Sequence, residues 1–254
     1  MKFSANLGFL WTDRPLPEAI RSAKAAGFDA VECHWPYEVP VEDTRAALAE
    51  TGLAMLGLNT RRGDVGAGEN GLSALPGREA EAREAIDEAI AYAAAIGTRK
   101  VHVMAGMASG EAARDTFIGN LRHACAAAAP HGITILTEPL NSQDAPGYFL
   151  STTAEAEAII AAVGAANMKL MFDCYHVQIM EGNVCARLER LLSLIGHIQF
   201  AAVPGRGRPD VGELDYPFIF KTVETLGYDE PLGAEYKPDG DTDASLAWLA
   251  AWRA

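Results

Sequence analysis

A chain of 254 residues with 49% hydrophobic and 22% charged residues has ample material for a buried core and no signature of disorder. Its formal net charge of -13 opposes broad contact with phosphate backbones, which needs a cationic surface, so the expected partner is a small molecule and not nucleic acid. No apolar run reaches membrane-spanning length, Met1 leads into KFSANLGFLW without a signal-peptide pattern, and the four cysteines form no CxxC pair. These features imply a soluble cytoplasmic protein with reduced thiols and no membrane partner; self-association is left open.

Short β-like runs alternate with helical patterns along the whole chain. The first strand is expected at residues 2 to 7, followed by the helical LPEAIRSAKAAG, and the second at 29 to 34, followed by EDTRAALAETG. A third strand at 53 to 58 leads into a long Gly-rich and charged loop at 60 to 77, then into REAEAREAIDEAIAYAAAIG. Strands at 99 to 105, 133 to 138, 168 to 173, 195 to 201 and 231 to 236 complete the set. The helical stretches after them include EAARDTFIGNLRHACAAAAPHG, TTAEAEAIIAAVG, CARLERLLSLIG, YPFIFKTVETLG and TDASLAWLAAWRA.

Gly27, Gly52, Gly97 and Gly132 each stand just before a strand, where a helix C-cap belongs. Eight strand and helix pairs predict a (β/α)8 TIM barrel, with residues 1–254 as one domain, since such barrels use about 250 residues. The seventh strand is followed by a second long loop, 201 to 215. Loops that follow strands share the rim on which barrel sites are built.

Four polar residues stand at the ends of successive strands on that rim: Glu138 in ITILTEPLN, Asp173 in MKLMFDCYH, Gln199 in IGHIQF and Glu235 in PLGAEYKP. They read as an oxygen-rich metal site, and the neutral oxygen of Gln199 suits Mg²⁺ or Mn²⁺ better than zinc. Glu138 and Glu235 form a pair able to take a proton from one carbon and return one nearby. A salt bridge from Glu235 to Lys237 or to a barrel arginine is the alternative reading. His176, three residues beyond Asp173, is a metal ligand, a substrate contact or a structural residue. His197 shares a strand face with Gln199 and is a supporting group, a substrate contact or part of the interior. His102, Glu32 and His34 are further rim candidates, and Arg61, Arg62, Arg206 and Arg208 lie in the two long loops, where a guanidinium can grip a carboxylate.

The segments NTRRGDVGAGENGLSALPGRE, VHVMAG, TEPLN, FDCYHVQ, GHIQFAAVPGRGRPDVGELD and GAEYKP, in this order, resemble the hydroxypyruvate isomerase family of the xylose isomerase-like TIM-barrel superfamily. The resemblance runs nearly end to end. It implies a divalent metal held by Glu138, Asp173, Gln199 and Glu235, with the two glutamates as acid and base. It also implies conversion of hydroxypyruvate to tartronate semialdehyde through an enediol. Arg206 and Lys237 are the expected partners of the substrate carboxylate.

Relatives of the family include 2-oxo-tetronate isomerases and ketose 3-epimerases; the epimerases commonly carry histidine where this chain has Gln199. Two readings come from other classes. An apurinic endonuclease-like zinc hydrolase would use His102, Glu138, Asp173, His176 and His197, but the Asp-x-His expected after the seventh strand is replaced by Arg206-Gly-Arg208. A non-catalytic sugar-acid binding protein would have no need of both glutamates.

Overall fold

The strand pairings of the computed structural model are parallel, and helices connect successive strands everywhere except between the third and fourth, as apolar runs joined by amphipathic stretches require. The structure describes residues 1–252; the end of the expected helical stretch TDASLAWLAAWRA, Arg253 and Ala254, lies outside the described residues. In chain order the elements are β1 Phe3–Asn6, α1 Leu16–Ala26, β2 Ala30–Glu32, α2 Val41–Thr51, β3 Ala54–Met55 and β4 Leu58–Asn59. Then come α3 Glu79–Ile96, β5 Lys100–His102, α4 Gly110–Ala128, β6 Thr134–Thr137, α5 Thr153–Val163 and β7 Met168–Asp173. Helices α6 Cys174–Met180 and α7 Val184–Leu191 precede β8 Ile195–Phe200, α8 Tyr216–Thr225, β9 Leu232–Ala234 and α9 Ala247–Ala251.

The sheet order is β3-β2-β1-β9-β8-β7-β6-β5-β4, and its two end members are separated in the chain only by Leu56 and Gly57. This is the expected α/β TIM-barrel fold, with one difference. The run at 53 to 58 is not a single strand: it breaks into β3 and β4, giving nine strand segments among the described residues where eight were expected. The four helix-ending glycines have positive φ as their positions predicted; Gly27, at φ 95°, donates its N–H back to the carbonyls of Ala23 and Lys24.

The chain packs as two compact units, one of Met1–Leu56, Asp173–Ser193 and the stretch from His197 onward, the other of Gly57–Phe172 with Leu194–Gly196. In the first, an aromatic cluster seats α8 and α9 on the strands. Phe3 meets Phe200 at 5.8 Å and Trp248 at 5.4 Å between ring centroids, and Phe200 meets Phe220 at 5.1 Å. In the second, α3 buries mainly small side chains: Ala82, Ala85, Ala89 and Ala93 line its inner face with Ile86, Ile90 and Tyr92. Alanine keeps a long helix near its best intrinsic propensity while allowing close approach. No helix among the described residues is long and apolar enough to cross a membrane.

The two long loops are tied down. In residues 60 to 77, the Asp64 side chain accepts from the Ala67 N–H, and Arg78 pairs with Glu69 at 2.7 Å. In residues 201 to 215, the Ala202 N–H donates to Gly207 O at 3.0 Å, the Glu213 N–H to Val203 O at 2.8 Å, and Gln178 of α6 reaches the Glu213 carboxylate at 3.2 Å.

Candidate active site

Asp173 ends β7 and begins α6 at once: its Oδ1 accepts from the Tyr175 N–H at 2.9 Å, an N-cap that satisfies one of the helix's orphan donors. Helix α6 was not among the expected elements, because DCYH reads as the turn after a strand. The cap starts the helix immediately and places His176 in its first turn, with Nε2 3.6 Å from Asp173 Oδ2.

Arg206 is drawn to this strand end by its own backbone. It adopts φ 56°, in the left-handed region, its carbonyl accepts the Lys237 N–H at 2.7 Å, and its Nε donates to Glu235 O at 3.2 Å. The guanidinium, in a residue only 8% exposed, donates from Nη2 to Asp173 Oδ2 at 3.0 Å and to Glu235 Oε2, while Nη1 lies 3.1 Å from His176 Nε2. The rings of Phe9 and Tyr175 flank it at 4.8 and 5.0 Å. Glu235 is therefore salt-bridged, but by a loop arginine and not by Lys237 or an arginine of the barrel, and the same guanidinium joins a second carboxylate.

Glu235, directly after β9, has its other oxygen occupied too: Oε1 accepts from Asn6 Nδ2 and lies within hydrogen-bond distance of His34 Nε2, both at 2.9 Å. His34 reaches it past Gly8, where any Cβ would fall 2.1 Å from the imidazole. These surroundings separate the two acids. Burial raises the Asp173 pKa to about 7, helped by the charges of Glu235 and Glu32 against the pull of Arg206 and the Tyr175 N–H. Burial also opposes the Glu235 carboxylate, but Arg206 and His34 outweigh it and hold its pKa at about 2. Glu235 is the more readily ionised of the two.

Gln199 and His197 leave β8 on one face, as strand alternation requires, and both meet Glu32 at the end of β2. Glu32 Oε2 accepts from Gln199 Nε2 at 2.9 Å and His197 Nε2 at 3.0 Å, and its Oε1 accepts from Ser4 Oγ at 3.0 Å. Gln199 Oε1 is buried and has no hydrogen-bond partner.

In the second unit, Glu138 follows β6 and is buried, with Oε2 3.6 Å from Nδ1 of His102 at the end of β5. The neighbouring strand ends are tied by side chains: Thr60 Oγ1 accepts the Met104 N–H at 3.0 Å, and the Tyr148 hydroxyl accepts the Ala105 N–H at 2.8 Å.

Asp173, His176, Arg206 and Glu235 are thus brought into one hydrogen-bonded group and Gln199 and His197 into another around Glu32, while His102 and Glu138 approach each other at 3.6 Å. Lys237 is exposed, with only its backbone N–H in the Arg206 group. Arg61 is engaged by Glu88 at 2.6 and 3.0 Å, and Arg208 lies 3.4 Å from Asp210. Asn6 and Ser4, which touch Glu235 and Glu32, were not among the expected site residues. Asn6 carried the same signal as the chosen residues, a polar side chain closing an apolar strand.

A family model described as xylose isomerase-like TIM barrel matches residues 20–252. The chain is 47% identical over 252 residues to a 2-oxo-tetronate isomerase of Cupriavidus necator, covering 98% of this chain and 97% of that protein. It is 37% identical over 257 residues to a hydroxypyruvate isomerase of Escherichia coli, covering 100% of both. A crystal structure described as AP endonuclease, family 2, from Brucella melitensis matches with a TM-score of 0.95 at 40% identity, covering 99% of this chain and 98% of that one.

Proposed function

This chain belongs to the xylose isomerase-like TIM-barrel family and is an isomerase, and on that premise we propose that it moves a carbonyl between adjacent carbons of a small 2-oxo acid, with hydroxypyruvate and tartronate semialdehyde as the first pair to test. The four-carbon 2-oxo-tetronates are the alternative substrates, since relatives of both descriptions match over nearly their whole length. The observation that carries the chemistry is the placement of Glu235: a buried strand-end carboxylate with one oxygen on Asn6 and His34 and the other on Arg206, contacts that orient it for proton transfer.

The reaction removes a C3 proton from hydroxypyruvate, passes through an enediol, and returns a proton to C2. Glu138 and Glu235 are the proposed acid and base. His102, beside Glu138, and His176 and His197 are proposed substrate contacts. Arg206 and Lys237 are the proposed cations for the substrate carboxylate; the guanidinium lies among the acidic groups, whereas the ammonium lies on an exposed side chain.

The donor set fits a divalent cation. Gln199 offers a buried oxygen with no hydrogen-bond partner, and Asp173, Glu138 and Glu235 offer buried carboxylates. These four are the proposed ligands, and all-oxygen donors favour Mg²⁺ or Mn²⁺. When bound, such an ion supplies Lewis-acid stabilisation of charge developing on substrate oxygens.

The experiment is product NMR in D₂O with Mg²⁺ or Mn²⁺, comparing hydroxypyruvate, 2-oxo-tetronates and ketoses. Deuterium entering C2 or C3 with isomer formation supports the reading. A panel without exchange supports a binding protein instead. Incision of an abasic duplex in the presence of zinc would turn the reading toward the description attached to the Brucella structure; the charge of -13 and Arg206-Gly-Arg208 weigh against that outcome.

A further inference from the structure

Gln199 is an unusual choice for a charged interior, because an amide presents two different ends and only the oxygen suits a cation. Nothing in its own chemistry selects that end. The choice is made by Glu32, whose carboxylate only accepts hydrogen bonds. Facing Oε2 at 2.9 Å, the Gln199 amide must present Nε2, since the reverse orientation would oppose two acceptors. With the nitrogen committed, Oε1 is left turned away from Glu32, buried and without a hydrogen-bond partner.

Glu32 is itself held at both oxygens. Ser4 Oγ donates to Oε1 and His197 Nε2 to Oε2, so rotation of the carboxylate would break bonds to both residues. The opposite strand makes room for the arrangement. Gly233 pairs with Gln199, and a Cβ there would fall 2.1 Å from Glu32 Oε1, 2.8 Å from Gln199 Cγ and 3.0 Å from His197 Nε2. Only a glycine admits the acid alongside its two donors.

We propose that Glu32 is a positioning residue that fixes the Gln199 amide with its oxygen toward the divalent cation, so that a neutral ligand is selected by a buried acid that does not itself bind the ion. The inference rests on the metal reading given above. It makes a distinctive demand: Glu32 matters only while residue 199 has two unlike ends. Replacing Gln199 by glutamate makes the ends alike, and a glutamine at position 32 can then donate to it.

The test is a double-variant cycle read by Mn²⁺ binding, with free Mn²⁺ followed by electron paramagnetic resonance and the fold followed by circular dichroism. Glu32→Gln in the natural background is expected to weaken Mn²⁺ binding by about 10–100-fold, the usual consequence of losing a hydrogen-bond partner of a ligand. In the Gln199→Glu background the same substitution is expected to cost nothing or to tighten binding. An equal loss in both backgrounds, or no loss in the first, overturns the proposal, because a general effect of charge or stability would not distinguish them. If Glu32→Gln does not fold, Ser4→Ala, which frees one carboxylate oxygen, is taken through the same cycle and judged by the same criterion with a smaller expected loss. Asp173→Asn marks the site. If wild-type protein binds no Mn²⁺, or Asp173→Asn binds it unchanged, the metal reading fails and takes this proposal with it; if Asp173→Asn abolishes binding, the cycle judges Glu32 alone.

Discussion

Arg206 reaches Glu235 twice, from Nη2 to the carboxylate and from Nε to the backbone carbonyl, so one side chain both neutralises the acid and fixes the strand end that carries it. The same guanidinium holds Asp173. Arg206→Met would leave two buried carboxylates short of their cation, and breaking a buried pair in this way costs roughly 3–5 kcal/mol. Urea unfolding in the presence of a chelator is expected to show a loss of that order. Arg206→Lys, which keeps the charge but not the fork, is expected to recover only part of it. A methionine variant as stable as wild type would show that the bridge contributes little.

Glu138→Gln and Glu235→Gln keep the shape of each side chain and remove its ability to exchange a proton. Each is expected to lower isomerisation by about 10²–10⁴-fold, the usual range for losing a general acid or base. Solvent deuterium incorporation should fall in parallel. A variant that retains near-wild-type turnover removes that glutamate from the mechanism.

Gly233→Ala places a methyl carbon 2.1 Å from Glu32 Oε1. Overpacking of this kind typically costs 1–3 kcal/mol, or about that much. The expected result is a lower thermal midpoint together with weaker Mn²⁺ binding, since relief of the clash requires Glu32 or Gln199 to move. Unchanged values of both would mean that β9 shifts to admit the methyl group.

The thiols should be quiet at neutral pH. Burial raises the pKa of Cys125 to about 11 and drives those of Cys33 and Cys174 well above the ordinary thiol value. A raised thiol pKa means less thiolate at a given pH, about one part in a thousand for Cys125 at pH 8. A disulfide reagent at pH 8 is therefore expected to label half-buried Cys185 first, and all four cysteines only after unfolding. Rapid labelling of four thiols in folded protein would contradict the burial of the other three.

The strand ends were legible because they are punctuated: an apolar run, a polar residue, then a proline or a turn. Glu138 before Pro139 and Glu235 before Tyr236 could be picked out without a partner in view. Helix α6 was not legible, because its seven residues are too few to show a helical period and its start depends on the Asp173 side chain. The division of β3 from β4 falls within a continuous apolar run that gives no warning of a break. Glu32 was visible only as one rim candidate among several, since its bond to Gln199 joins residues 167 positions apart. Arg206 was one of four loop arginines, and what singles it out is its left-handed backbone and the bonds that fold its loop onto β9.

The alternation of β8 carries a demand on folding as well as on chemistry. Gln199 faces Glu32 because Gly233 lies opposite it in register, with Ile198 and Phe200 directed to the other side of the strand. A slip of one residue would press Ile198 or Phe200 against a buried carboxylate and send two polar side chains into the aromatic cluster. Such a misaligned strand is penalised on both faces at once. The residues proposed to hold the cation and to touch the substrate thereby also proofread the pairing of the strands that hold them.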